Sequence, residues 1–283
     1  MNILYVTKGD HVDYQNDCLL IGLKELYGSN VVDINKQLHN YETYDSELTK
    51  NLYGKGMTVS RVLPDLEVDR SNISDKIKNN FFDLIVYGSI WRCDDQLDRV
   101  LEHYQKNKVI AIDGEDHVAI HRSYNLGIKY FKRELTQNHD RLYPISFAFP
   151  TKKLNFKGVK TKNFSYITPL DTSTYIYDKE SDYYNDYNSS MFGVTMKKGG
   201  WDCLRHYEIL ANGCIPYFMN VEKCPELTLT DFPKNLCKEV NDLFKNEKPE
   251  KIFEDYIEKF QTHFINNNTT QKLGEKFICT ATK

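Results

Sequence analysis

The sequence lacks any CxxC pair and any histidine cluster at zinc-finger spacing, although it holds seven cysteines at positions 18, 93, 203, 214, 224, 237 and 279. An odd, scattered set argues against a disulfide framework and a structural zinc site, and predicts reduced, mostly buried thiols. No stretch approaches the roughly 20 apolar residues needed to span a bilayer. The opening MNILYVTKGD has neither a basic leader nor a long apolar run, so a cytoplasmic chain (host cytoplasm, for a viral one) without membrane insertion is expected. Charge of one sign is also missing. With 37 basic against 40 acidic residues, no global field favours nucleic acid or an acidic membrane. There is no internal repeat and no low-complexity tract.

What is present is enough apolar sequence, 40% of 283 residues, to build one large domain or two medium ones. Short apolar runs alternate with helical periodicity. Asn2–Val6, Val31–Ile34, Phe82–Tyr87 and Val109–Ile112 predict buried strands, with helical segments over Asp17–Leu26 and Asp94–Gln105. That rhythm predicts a parallel, doubly wound α/β sheet. Between Tyr41 and Asn80 the pattern is weak, and YGKGMTVSRVLPD predicts a long loop. After Pro150 the polar TKKLNFKGVKTKN predicts a linker. A second alternation follows: strands at Phe164–Ile167, Met191–Met196 and Ile215–Met219, helices over Asp231–Asn246 and Glu250–Phe264, and a frayed last ten residues. The expected division is therefore residues 1–150 and 151–283, two Rossmann-like domains with a cleft between them. Ligands in such sheets sit beyond the carboxyl ends of the strands, which gives weight to Gly9–Asp13, Gly88–Arg92, Asp113–His117 and Lys197–Trp201.

The most informative stretch is KKGGWDCLRHYEILANGCIP, residues 197–216. A helix starting near Trp201 aims free N–H groups and its positive end at the Gly199-Gly200 turn, an arrangement suited to phosphate. At 100° per residue Trp201, Arg205, Glu208 and Asn212 share a stripe opposite Cys203, Leu204, Tyr207, Leu210 and Ala211. An aromatic, a guanidinium and a carboxylate in that order suit a nucleoside diphosphate, with Glu208 on the ribose hydroxyls. The other reading is a surface helix with an Arg205–Glu208 ion pair at i,i+3.

R-x-x-E-x-x-x-x-G-C-I-P (Arg205, Glu208, Gly213, Cys214, Ile215, Pro216) resembles the nucleotide-sugar element of exostosin-type glycosyltransferases, and more loosely the E-A-x-A-x-G-x-P element of GT-B enzymes. Asp13-Tyr14-Gln15, Asp113-Gly114-Glu115-Asp116 and Tyr130-Phe131-Lys132-Arg133-Glu134 are similar to segments of small exostosin-like transferases of algal viruses and bacteria, xylosyltransferases among them. The resemblance implies a GT-B-like α/β fold and transfer of a sugar, xylose by the closer likeness, from a UDP-sugar to a glycan acceptor. An inverting, metal-independent course with no cofactor is expected. It implies that Glu208 holds ribose, that Arg205 and the Gly199-Gly200 amides hold diphosphate, and that acceptor and base belong to the N-terminal half. Two other classes stay open: a non-catalytic nucleotide-sugar-binding protein and a sugar-nucleotide epimerase.

The remaining candidates each carry a structural alternative. Asp13, with His11 beside it, is a base or the cap of the following helix. Glu115 and Asp116, with His117, are active-site groups or a solvated turn. Lys129, Lys132 and Arg133 neutralise a diphosphate or form a basic helix face. Asp94-Asp95 and Asp182…Asp186 are expected to be surface acids rather than metal ligands, and the tyrosines of 175–187 frame a sugar or base pocket or pack a loop.

Overall fold

In a computed structural model, which describes residues 1–9 and 11–283, the chain is α/β with two parallel sheets. The first has six strands in the order β2-β1-β3-β4-β5-β6: β1 Ile3–Val6, β2 Val31–Ile34, β3 Leu84–Tyr87, β4 Val109–Asp113, β5 Lys129–Lys132 and β6 Leu142–Pro144. β1, β3 and β4 are buried along their whole length. That explains why their sequences run apolar rather than alternating. The second sheet has the order β7-β8-β9: Lys162–Phe164, Ser190–Met196 and Ile215–Met219.

Helix α1 (Tyr14–Tyr27) follows β1, and α2 (Ile73–Lys78) and α3 (Leu97–His103) flank β3. In the second half come α4 (Glu180–Asn188), α5 (Leu204–Ala211), α6 (Lys234–Leu243), α7 (Pro249–Asn267) and α8 (Thr270–Ala281). One apolar cluster runs from Ile3, Tyr5 and Leu19 through Phe149 to Phe192, Tyr207 and Phe264. Residues of both sheets thus belong to one apolar cluster. A second cluster fills the opposite face of the large sheet, around Ile85, Val100 and Tyr130.

Several sequence expectations change. The last residues do not fray: α8 crosses back to the first half and lies on α1. A Cβ on Gly22 would stand 2.0 Å from the Thr270 carbonyl oxygen, so this contact requires glycine. The stretch Lys129–Arg133 is an interior strand and its turn, not a helix face. The seven cysteines are all free, and four of them (18, 93, 214 and 237) are buried. Asp186 is no surface acid. It is 4% exposed, pairs with Lys162 and accepts the Tyr166 amide at 2.9 Å.

Candidate functional site

β1 sits between β2 and β3, so the connections leaving β1 and β3 diverge at their carboxyl ends. This is the topological switch point at which such sheets bind ligands. Asp13 stands there. Its Oδ1 caps α1, accepting the amides of Gln15 and Asn16 at 3.2 Å each. Its Oδ2 accepts from Ser89 Oγ at 2.7 Å and Arg92 Nη1 at 2.9 Å, both from the turn after β3. Arg92 also donates to Glu115, from the turn after β4, and so joins the two candidate acids. Burial pushes the Asp13 carboxyl above its ordinary range, while Arg92 and then Ser89 pull it back. Capping and a placed, partly desolvated carboxylate therefore coexist in one side chain.

The rest of this rim is divided. Asp113 is buried and accepts from Lys132 Nζ at 2.9 Å and the Tyr130 hydroxyl at 2.6 Å. His11 and His117 are exposed. Asp10 lies outside the described residues. Asp116, 61% exposed at its side chain, pairs with Arg133.

Arg133 and Glu134 clasp the two halves. The Arg133 guanidinium, 2% exposed, donates to the Gly114 carbonyl at 3.0 Å, to Asp116, to Glu134 at 3.0 Å and to the Asp202 carbonyl. Glu134 accepts the amides of Trp201 and Asp202, both at 2.9 Å. These are the free N–H groups that were expected to meet a diphosphate. The helix itself begins later, at Leu204. A Cβ on Gly199 would fall 2.1 Å from Asp116 Oδ2, and one on Gly200 would fall 2.4 Å from Glu134 Oε1. The glycines thus admit carboxylates of the first half, where a phosphate was expected. Nor is the basic cluster free: Lys129 donates to the Ala281 carbonyl at 2.7 Å, Lys132 is held by Asp113, and Arg133 is in the clasp.

Arg205 and Glu208 lie on α5 but form no ion pair. Glu208, 7% exposed, has a hydroxyl on each oxygen: Thr58 on Oε1 and Tyr183 on Oε2 at 2.6 Å. Burial raises its pKa. Thr58 comes from the long loop after β2 and holds φ +72°, a conformation that strains a β-branched residue. Its amide donates to Glu180 at 2.7 Å. The Arg205 guanidinium lies over Tyr175 at 4.9 Å, and its Nε and Nη1 are buried without a hydrogen-bond partner. Such orphaned donors are costly unless something unseen satisfies them. Lys198 Nζ reaches the Tyr175 hydroxyl at 2.7 Å beside them.

The structure therefore assembles Asp13 with Glu115 at the sheet rim, and Arg205 with Glu208 under the loop, while Lys132 and Arg133 serve the frame. Sequence reasoning gives no role to Ser89, Arg92, Glu134 or Thr58, although Glu134 closes the Tyr130–Glu134 segment of the family resemblance. The first two lie in the strand-end turn flagged by topology; Thr58 gives no local signal. A cavity of about 490 Å³ bounded by Asn35, Arg70, Asp95 and Gln96 lies at the end of β2, apart from these groups. Among the described residues no three His, Cys, Asp or Glu side chains are grouped to hold a metal, and no helix is long and apolar enough to cross a membrane. Comparison with protein-family models, curated proteins and solved structures gives no match.

Proposed function

We propose that this chain is a GT-B-like glycosyltransferase that moves a sugar from a UDP-sugar to a glycan hydroxyl with inversion. The observation that carries the reading is the presence on one helix of Arg205, with two buried unpartnered nitrogens, and Glu208, with one hydroxyl on each oxygen. Two hydroxyls on one carboxylate are what a ribose diol offers, and orphaned guanidinium donors are what a diphosphate satisfies. On binding, the ribose takes the place of the Thr58 hydroxyl and the loop around it withdraws. Because Glu134 holds the Trp201 and Asp202 amides, Arg205 and Lys198 carry the diphosphate charge.

Asp13 then accepts the proton of the acceptor hydroxyl as that oxygen bonds to the anomeric carbon. The bond from that carbon to the phosphate oxygen breaks, and UDP departs with the electron pair. Arg92 and Ser89 hold Asp13 in place, and Arg92 keeps Glu115 alongside for the acceptor. Xylose is the sugar to test first.

The test is thermal unfolding with UDP, GDP and ADP, followed by slow hydrolysis of UDP-xylose and other UDP-sugars. At 100 times its dissociation constant a ligand adds about 2.7 kcal/mol, so UDP should raise the melting temperature clearly. Unchanged melting with all three nucleotides at millimolar concentration would overturn the reading. UDP binding with no hydrolysis or transfer would make the chain a binding protein. Conversion of the donor sugar without acceptor would make it an epimerase.

A further inference from the structure

We infer that Trp91 is a stacking platform for a neutral pyranose acceptor, placed at the same rim as Asp13 and Glu115. The inference deepens the function proposed above and takes its acceptor class from the geometry of one turn. Residues 88–92 follow β3 at the switch point. Two of them, Ser89 and Arg92, turn inward to Asp13. Trp91, between them, is 40% exposed, with its indole beside the buried Tyr130 hydroxyl.

An exposed indole is usually loose, but this one is framed. The rings of His117 and His121, both from the segment after β4, stand 5.0 Å away at 84° and 65° to it. His121 is fixed in turn, its amide donating to the Tyr130 hydroxyl at 3.0 Å and its ring meeting Ser123 Oγ at 3.1 Å. The chain thus fixes the plane of a large apolar ring that stays partly in water.

A pyranose fits what surrounds it. One face of such a ring is a sheet of C–H groups that packs on an aromatic plane, and its rim is hydroxyl. Glu115 and exposed His117 are hydroxyl partners on the adjoining turn, and Asp13 is the proton acceptor next along. Among the described residues the nearby cations are engaged: Arg92 is shared by Asp13 and Glu115, and Arg122, beside His121, pairs with Asp94. That favours an uncharged ring over a phosphate or carboxylate. Trp91 is not a catalytic residue in this scheme; it positions the acceptor.

The chain has only two tryptophans, Trp91 and Trp201, so 5-fluorotryptophan labelling gives two fluorine resonances, assigned by the one lost in Trp91→Phe. Methyl pyranosides of glucose, galactose, mannose and xylose are titrated to their solubility limits. The Trp91 resonance should move saturably with at least one of them and the Trp201 resonance should stay. Where a pyranoside also serves as acceptor, Trp91→Ala should raise its KM about tenfold or more. kcat and UDP affinity should hold, and Trp91→Phe should restore most of the loss.

A Trp91 resonance that no pyranoside moves overturns the proposal. So does transfer whose acceptor KM is unchanged in Trp91→Ala, although the glycosyltransferase reading then stands. Broadening that follows protein concentration and not sugar also overturns it, because the face is then a self-association surface. Saturable shifts in a protein that binds no nucleotide would uphold the platform and remove the transferase reading instead.

Discussion

The Thr58 hydroxyl meets the Glu208 carboxylate across 150 residues of sequence, tying the long loop of the first half to the helix of the second. Thr58→Val keeps the branched shape and deletes that hydroxyl. The Glu208 oxygen left behind costs about 1–3 kcal/mol of stability. UDP should nevertheless bind more tightly, since an internal hydroxyl no longer competes with ribose. Urea unfolding and calorimetric titration measure the two effects. Lower stability with unchanged or weaker UDP binding would reduce Thr58 to a loop anchor.

Asp13 is both cap and candidate base, and Asp13→Asn separates the roles. Asparagine caps as well as aspartate, but its Nδ2 faces Ser89 and Arg92 where Oδ2 accepted from both, so a loss of about 1–3 kcal/mol is expected from that side alone. Turnover should fall by roughly 10²-fold or more, the usual contribution of a placed general base. Steady-state kinetics with donor affinity measured alongside decide it. Retained turnover in Asp13→Asn, with loss in Glu115→Gln, moves the base to the second turn.

Two buried groups on the 202–206 segment give opposite pH dependences. Burial, opposed by Arg133, raises the Asp202 carboxyl from 3.8 to about 7. Burial lowers the His206 imidazole from 6.5 to about 3. The folded chain keeps the Asp202 proton that the unfolded chain has released, so this contribution to stability falls as pH rises from about 4 to 7. The unfolded chain takes up a proton that folded His206 refuses, so the histidine contribution falls as pH drops from about 6.5 to 3. Each is worth on the order of 4–5 kcal/mol, and between about pH 4 and 6.5 the two slopes oppose one another. Asp202→Asn should therefore leave stability that rises with pH over that window, and His206→Gln stability that falls. Parallel urea-unfolding profiles for both variants and the parent chain would refute the assignment.

Gly22→Ala sets two rules against each other. In an open helix alanine gains about 1 kcal/mol over glycine. Here its methyl would lie 2.0 Å from the Thr270 carbonyl, which is backbone and cannot swing aside. The expected result is a net loss of about 1–3 kcal/mol or more, read by chemical denaturation. A stabilised variant would mean that α1 and α8 have slack between them.

Legibility in the sequence followed the range of the interactions. β1, β3 and β4 could be read because both faces of each are covered, leaving unbroken apolar runs. β5 could not. Lys129, Lys132 and Arg133 look like a solvated cluster until Asp113, Asp116 and the Asp202 carbonyl close on them, and no local pattern reports that pairing. The glycines at 199 and 200 were legible as a place of close approach, yet the approaching group is carboxylate. For α8 the signal was present: Thr270, Leu273, Gly274, Phe277 and Ala281 are its buried residues at helical spacing, masked by the lysines between them. Of the candidate site, residue types at strand ends were readable, whereas Thr58 and Glu134 depend on contacts made only after the two halves meet.

The seat of α8 on α1 also orders events in time. Residues 15–24 of α1 are buried in the finished fold, and α8 begins at Thr270. At ribosomal speeds of about 5–20 residues per second, the interval between making the two helices is on the order of 10–50 seconds. Through that interval the nascent chain carries a bare helix face beside its first strand, open to a chaperone or to a neighbouring copy. A message cut short anywhere between α1 and Thr270 would leave that face uncovered for the life of the product.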